Sequence, residues 1–141
     1  MNPPPLSIII PCWEDARALR GILQSLQKLD SPAEIIVADA SVTDTCRMIA
    51  EEAGAKVACC PRPNRGAQMN AGAGMASGAM LLFQHADTEL TQSHLESLNR
   101  VMRDPTMIGG AFHRRFDGRH AHLAWLEEVA RFLNERGSTL Y

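Results

Sequence analysis

Met80-Leu81-Leu82-Phe83-Gln84-His85-Ala86-Asp87-Thr88 is the stretch that decides the fold. A short apolar run reads as a buried strand, and it stops abruptly at His85, Asp87 and Thr88. Open α/β sheets bind ligands in the crevice outside the carboxyl ends of their strands, so polar groups delivered there stand where a divalent metal or a phosphate is held. The block points to nucleotide chemistry.

Working outward, the same pattern repeats. Leu6–Ile10 is a β-branched run closed by Pro11, and Glu34–Ala38 is a second buried run ending in Asp39. Lys56–Cys60 is a third strand, Met80–Gln84 the fourth, and Ile108–Phe116 a fifth. Between them lie helical patterns. Leu19, Ile22, Leu23, Leu26 and Leu29 recur at helical spacing behind Asp15, a ready cap. Thr43–Ala53 is stopped by Gly54, and the small-residue segment Ala67–Gly78 suits a helix packed closely on a sheet. Thr91–Arg103 and His120–Leu133 complete the series, with Ser31-Pro32 and Pro61–Gly66 as loops. Strands alternating with helices predict an α/β fold with a mainly parallel sheet and helices on both faces. The chain ends on Arg136–Tyr141 without a closing strand, so the expectation is one domain, 1–141, truncated at its C-terminus.

Bulk properties narrow the class. A chain of 141 residues suits a single domain, and 45% hydrophobic with 21% charged residues is ordinary globular composition. The formal net charge of -2 argues against nucleic acid as a partner. Arg114, Arg115 and Arg119 with His113 and His120 form a local basic cluster, read either as a solvated surface or as a contact to an anionic substrate. Cys12, Cys46, Cys59 and Cys60 show no metal-site or redox-pair spacing and read as reduced, small hydrophobes. Met-Asn-Pro-Pro-Pro is no signal peptide and no apolar run reaches membrane-spanning length, so the expected location is cytoplasmic.

Chemistry-bearing residues gather at three strand ends: Trp13, Glu14 and Asp15; Asp39, Ser41 and Asp44; His85, Asp87 and Thr88. In a parallel sheet these ends share one edge. Asp39 is placed to bond a ribose or base edge, or else to cap the next helix. Trp13 offers an aromatic face for a nucleobase, or a cover for the sheet edge. Arg65, before a helix start, suits a diphosphate or is a solvated loop arginine. His85 with Asp87 would suit Mn²⁺ or Mg²⁺ on a diphosphate, although a turn with Asp87 or Thr88 as helix cap explains the pair equally well. No Gly-x-Gly-x-x-Gly follows the first strand, which removes a dinucleotide-binding Rossmann domain.

Taken in order, five segments resemble the family-2 glycosyltransferases of the GT-A fold. They are Ser7–Pro11, Glu34–Asp39, Arg65–Ala73, Leu81–Thr88 and Gly109–Gly118. Gln68-Met69-Asn70-Ala71-Gly72-Ala73 and His85-Ala86-Asp87-Thr88 are most similar to a bacterial subgroup described as rSAM/selenodomain-associated. The resemblance implies an enzyme, metal-dependent through Mn²⁺ or Mg²⁺ and inverting, that moves a sugar from a nucleotide-sugar donor, UDP-linked in the expectation, to an unidentified acceptor. It implies Asp87 and His85 as metal ligands, and Pro11, Trp13, Asp15, Asp39, Asp44, Arg65 and Asn70 as the donor-nucleotide set. Two segments depart from the family pattern: Glu14-Asp15 stands for its Asn-Glu, and Ala40-Ser41-Val42 for a glycine-rich turn. No catalytic base is assigned, since Asp117, Glu127 and Glu128 have no supporting motif. The chain is expected to be the donor-binding half. A lipid acceptor would add peripheral membrane association. The alternative is a non-catalytic nucleotide-binding or self-associating module with a homo-oligomeric partner.

Overall fold

A computed structural model describes residues 6–30 and 33–112. The chain divides into two compact units, Met1–Val101 and Met102–Tyr141. The first carries eight described elements: β1 (Leu6–Cys12), α1 (Ala16–Leu26), β2 (Ala33–Asp39), α2 (Thr45–Glu52), β3 (Lys56–Cys59), α3 (Arg65–Met75), β4 (Met80–Phe83) and α4 (Gln92–Val101). The strands form one parallel sheet in the order β3-β2-β1-β4, with Cys12 opposite Asp39 and Ile9 opposite both Ile36 and Phe83. The α/β architecture expected from the alternating pattern is the one observed.

The strand order fixes which face each helix covers. The chain steps from β1 to β2 to β3 in one direction, then returns past β1 to β4. Right-handed crossovers therefore put α1 and α2 on one face and α3 on the other. The core confirms it: Leu19, Leu23, Cys46, Ile49 and Leu95 pack with Ile8, Ile10 and Val37 on the first face. On the opposite face Ile9, Ile36, Ala38 and Ala58 meet Ala71, Ala73 and Ala76. The second face is thin because α3 lies very close to the sheet. A Cβ at Gly72 would stand 2.4 Å from Ile9 Cγ2, so glycine is required where helix and strand cross.

Helix ends follow the expected chemistry. Asp15 Oδ1 accepts the Ala18 N–H at 3.0 Å, and Asn64 Oδ1 accepts the Ala67 N–H at 3.0 Å. Gly54, at φ 76°, supplies the left-handed residue that stops α2. The reversal of direction places a topological switch point between β1 and β4. Such points open the crevice that α/β sheets use for ligands.

In the second unit, 108–112 carry no strand, against the expectation of one over Ile108–Phe116. Ile108 is fully exposed, and a Cβ at Gly109 or Gly110 would stand in open space. The remaining residues of that strand, the helix over His120–Leu133 and the cluster His113, Arg114, Arg115, Arg119 and His120 lie outside the described residues, as do Asp117, Glu127 and Glu128.

Candidate functional site

Every strand end named from the sequence opens at the carboxyl edge. Trp13 follows β1 and is 57% exposed. Glu14 next to it adopts a left-handed φ of 50°, a conformation a non-glycine residue holds only when its surroundings compensate. Here they do: the Glu14 N–H donates to Ser41 Oγ at 2.8 Å, and the Glu14 carboxylate accepts the Val42 N–H at 2.6 Å. The loops after β1 and β2 are thus clasped, with Trp13 and Val42 left exposed on them.

Behind the clasp sits a buried glutamine. Gln68, on the sheet-facing side of α3, sends its Nε2 hydrogens to Cys12 O at 2.7 Å and Ala38 O at 2.8 Å. One carboxamide therefore fixes the last turns of two neighbouring strands. Gln84 does the same for the third loop: its N–H donates to Ile9 O at 2.9 Å, and Nε2 donates to His85 O at 3.2 Å and Thr88 O at 2.6 Å. The His85–Thr88 turn closes with Thr88 N–H to His85 O at 3.3 Å. Gln68 and Gln84 escaped the sequence reading as loop anchors, while Glu14, read there as one of the polar groups after β1, joins two loops. The available signal was a long polar side chain inside an otherwise small or apolar run, which in a buried element must find partners.

The predicted residues divide. Asp39 is buried, 7% exposed, and its Oδ1 accepts the Ser41 N–H at 3.0 Å. Parallel register sets it beside Cys12, and Cys46 reaches the same spot from the first turn of α2. The ligand-capable atoms of Cys12, Asp39 and Cys46 lie within 4.8 Å of one another, the one such group of three or more among the described residues. Burial, then contact with Cys46, pushes the Cys12 thiol up to about 12, so it stays protonated at neutral pH. His85 is half-buried and Asp87 exposed on the β4 turn at the switch point, where Asp87 Oδ1 accepts the Thr88 hydroxyl at 3.3 Å. Pro11 is half-buried near the end of β1.

Others are engaged elsewhere or face outward. Asp15 spends one oxygen on capping α1. Asp44 pairs with Arg47 at 2.9 Å across one helical turn. Arg65 and Asn70 are exposed on α3. A groove of about 400 Å³ between α1 and α2, lined by Arg17, Arg20 and Gln24, includes none of the predicted site residues.

With this geometry in place, the profile of the family described as Glycosyl transferase family 2 matches residues 7–139. The chain belongs to that family. Among solved structures it is similar to Staphylococcus aureus TarS, at 23% identity and a TM-score of 0.59 over 70% of this chain and 19% of that one. It is also similar to the mannosyltransferase PcManGT from Pyrobaculum calidifontis, solved with GDP-Man and Mn²⁺, at 18% identity and 0.63 over 74% of this chain and 34% of that one. A third is the glucosyl-3-phosphoglycerate synthase of Mycobacterium tuberculosis, solved with Mn²⁺, UDP and glucosyl-3-phosphoglycerate, at 22% identity and 0.52 over 71% and 39%. These likenesses show the GT-A fold; the chain spans well under half the length of each. No functionally curated sequence matches it.

Proposed function

We propose that this chain is the donor-binding half of a glycosyltransferase that takes its sugar from a nucleotide diphosphate, UDP-linked, with inversion, and that it belongs to the rSAM/selenodomain-associated subgroup. The observation that carries this reading is topological. The strand order reverses between β1 and β4, and Trp13 follows the one strand and the His85–Thr88 turn the other, in a chain of glycosyl transferase family 2. Trp13 provides a ring for the base, and Asp39 an acceptor for ribose or base N–H. Pro11 lies near the end of β1, while Arg65 and Asn70 supply polar reach from α3 toward the phosphates, and Asp15 and Asp44 flank the two clasped loops.

The donor set of His85 and Asp87, an imidazole and an exposed carboxylate, fits a borderline-to-hard cation such as Mn²⁺ or Mg²⁺ that keeps open positions for phosphate oxygens. A cation held by His85 and Asp87 would supply positive charge for a leaving diphosphate. Gln84 keeps the turn that carries both ligands in place. The acceptor lies outside this reading. Among the described residues no helix is long and apolar enough to cross a membrane. The cytoplasmic location is proposed from the sequence alone, with a lipid acceptor as the route to a membrane surface.

The test is thermal denaturation of the chain with and without UDP and Mn²⁺. UDP with Mn²⁺ is expected to raise the melting temperature, and Asp87→Ala to abolish the shift while leaving the melting temperature of the unliganded protein unchanged. Absence of a shift with any nucleoside diphosphate across several divalent metals would overturn the proposal. A second reading, a self-associating module, is favoured by one observation: edge strand β4 leaves Leu81 and Phe83 nearly half exposed. Sedimentation separates it, since a monomer at high concentration excludes it.

A further inference from the structure

The cluster beneath the nucleotide edge shares Asp39 with the proposed donor set and adds two buried thiols that the donor site does not use. We propose that Cys12, Asp39 and Cys46 form a cation site, distinct from the one at His85 and Asp87, selective for a soft, thiophilic divalent ion of the Zn²⁺ or Cd²⁺ type. Three observations converge on it. Parallel register places Cys12 opposite Asp39 on the same face of the sheet, and Cys46 enters that face from α2, so the three ligands come from three different elements. All three are buried, and their ligand atoms already lie within 4.8 Å of one another. Asp39 is a buried carboxylate with no cation partner among the described residues, while buried charges are ordinarily paired or bound to metal.

The ligand set decides the ion. Two sulfurs and one oxygen select Zn²⁺ or Cd²⁺ over Mg²⁺ and Mn²⁺, the reverse of the preference expected at His85 and Asp87. Tetrahedral zinc with bonds of about 2.0–2.3 Å sets its ligands roughly 3.3–3.8 Å apart, so side-chain rotation has to close at most about 1.5 Å. On binding, each thiol S–H bond is replaced by a sulfur–metal bond and two protons pass to solvent. The carboxylate contributes a lone pair without losing a proton, and a water takes the fourth position. The Ser41 N–H on Asp39 Oδ1 orients the carboxylate from behind.

The remaining two cysteines provide the internal control. Cys59 is exposed, and Cys60 packs on the opposite face with Ile9 and Ala58. The experiment is titration of the full chain with Cd²⁺ under a phosphine reductant, read by ultraviolet thiolate-to-cadmium charge transfer. One equivalent is expected to saturate the band, in the wild type and in the Cys59→Ser/Cys60→Ser double variant alike. Cys46→Ala, checked for native circular dichroism, is expected to lose about half the amplitude and at least about tenfold in affinity. Asp39→Asn is expected to keep the amplitude, which comes from sulfur, and to weaken binding by a similar factor. The proposal is overturned by a reduced wild type without a band, by a band that disappears with Cys59 and Cys60, or by an Asp39→Asn affinity equal to the wild type. None of these readouts involves a nucleotide, so the outcome is independent of the donor-site proposal.

Discussion

Strand β2 carries an acid near each end, and the two are treated in opposite ways. Glu34, at its amino end, has a side chain only 8% exposed and is saturated with donors. Its Oε1 takes the Lys56 ammonium and the Ser77 hydroxyl, and its Oε2 takes the Ser7 hydroxyl and the Ser77 N–H. Ser7 Oγ in turn accepts the Gly78 N–H at 2.9 Å, so one carboxylate ties the starts of β1, β2 and β3 to the approach of β4. Asp39, at the carboxyl end, is as deeply buried and has one backbone N–H. The difference separates an acid consumed by the fold from an acid whose oxygens the fold leaves largely unused. A buried carboxylate that folding alone had selected would be expected to carry the partners Glu34 has.

The largest expected effect of breaking this contrast is at Glu34. Glu34→Ala strands the Ser7 hydroxyl and the Ser77 N–H together and removes the charge facing Lys56, a loss on the order of 3 kcal/mol in urea denaturation. The same acid gives a pH signature. Burial alone would raise its pKa, but the Lys56 ammonium, the Ser7 hydroxyl and the Ser77 donors outweigh burial and hold it at about 2, below its ordinary 4.5. A depressed folded-state pKa contributes stability that is complete above about 4.5 and is lost as pH falls toward 2. Stability measured from pH 6 down to pH 2 is therefore expected to fall most steeply across that window in the wild type, and Glu34→Gln to flatten the fall.

At the carboxyl end the corresponding scaffold is the glutamine pair, not the acid. Gln68→Leu removes the donor to Cys12 O and Ala38 O. Cys12 O keeps the Ala40 N–H at 3.0 Å, so the penalty is the loss of one buried donor from two strand-end carbonyls. The expected cost is about 1–3 kcal/mol by urea denaturation, smaller than at Glu34. A Gln68→Leu protein as stable as the wild type would show that the clasp through Glu14 and Ser41 suffices to hold the two loops.

What the sequence disclosed follows from the range of the interactions involved. β1, β2 and β4 were legible because buried parallel strands are continuous apolar runs, and α1 because its leucines repeat on one face. Asp15 as a cap is a local bond and was equally visible. The α3 boundary was less so: the helix runs Arg65–Met75, while its small-residue pattern continues to Gly78, because Ser77 and Gly78 leave the helix to reach Glu34 and Ser7. The cysteine cluster was invisible for another reason. Cys12 and Cys46 behave in sequence as small hydrophobes, and only strand register and the landing point of α2 bring them to Asp39. The switch point between β1 and β4 has the same character, since strand order is not written in any local pattern.

The smallest stability effect and the sharpest functional one are expected to coincide at Asp39. Asn keeps an oxygen for the Ser41 N–H and removes a buried charge that no cation balances among the described residues, so the two changes offset and stability stays within about 1 kcal/mol of the wild type. The shift in melting temperature produced by UDP with Mn²⁺ should nevertheless shrink, because the amide supplies one neutral acceptor where the carboxylate supplied a charged one. Glu34→Gln is the matched control: it should lower the melting temperature with and without ligand by the same amount and leave the shift intact. If Asp39→Asn instead destabilises as strongly as Glu34→Ala and preserves the shift, both ends of β2 serve the fold alone, and the donor acid has to be sought on the β4 side of the crevice.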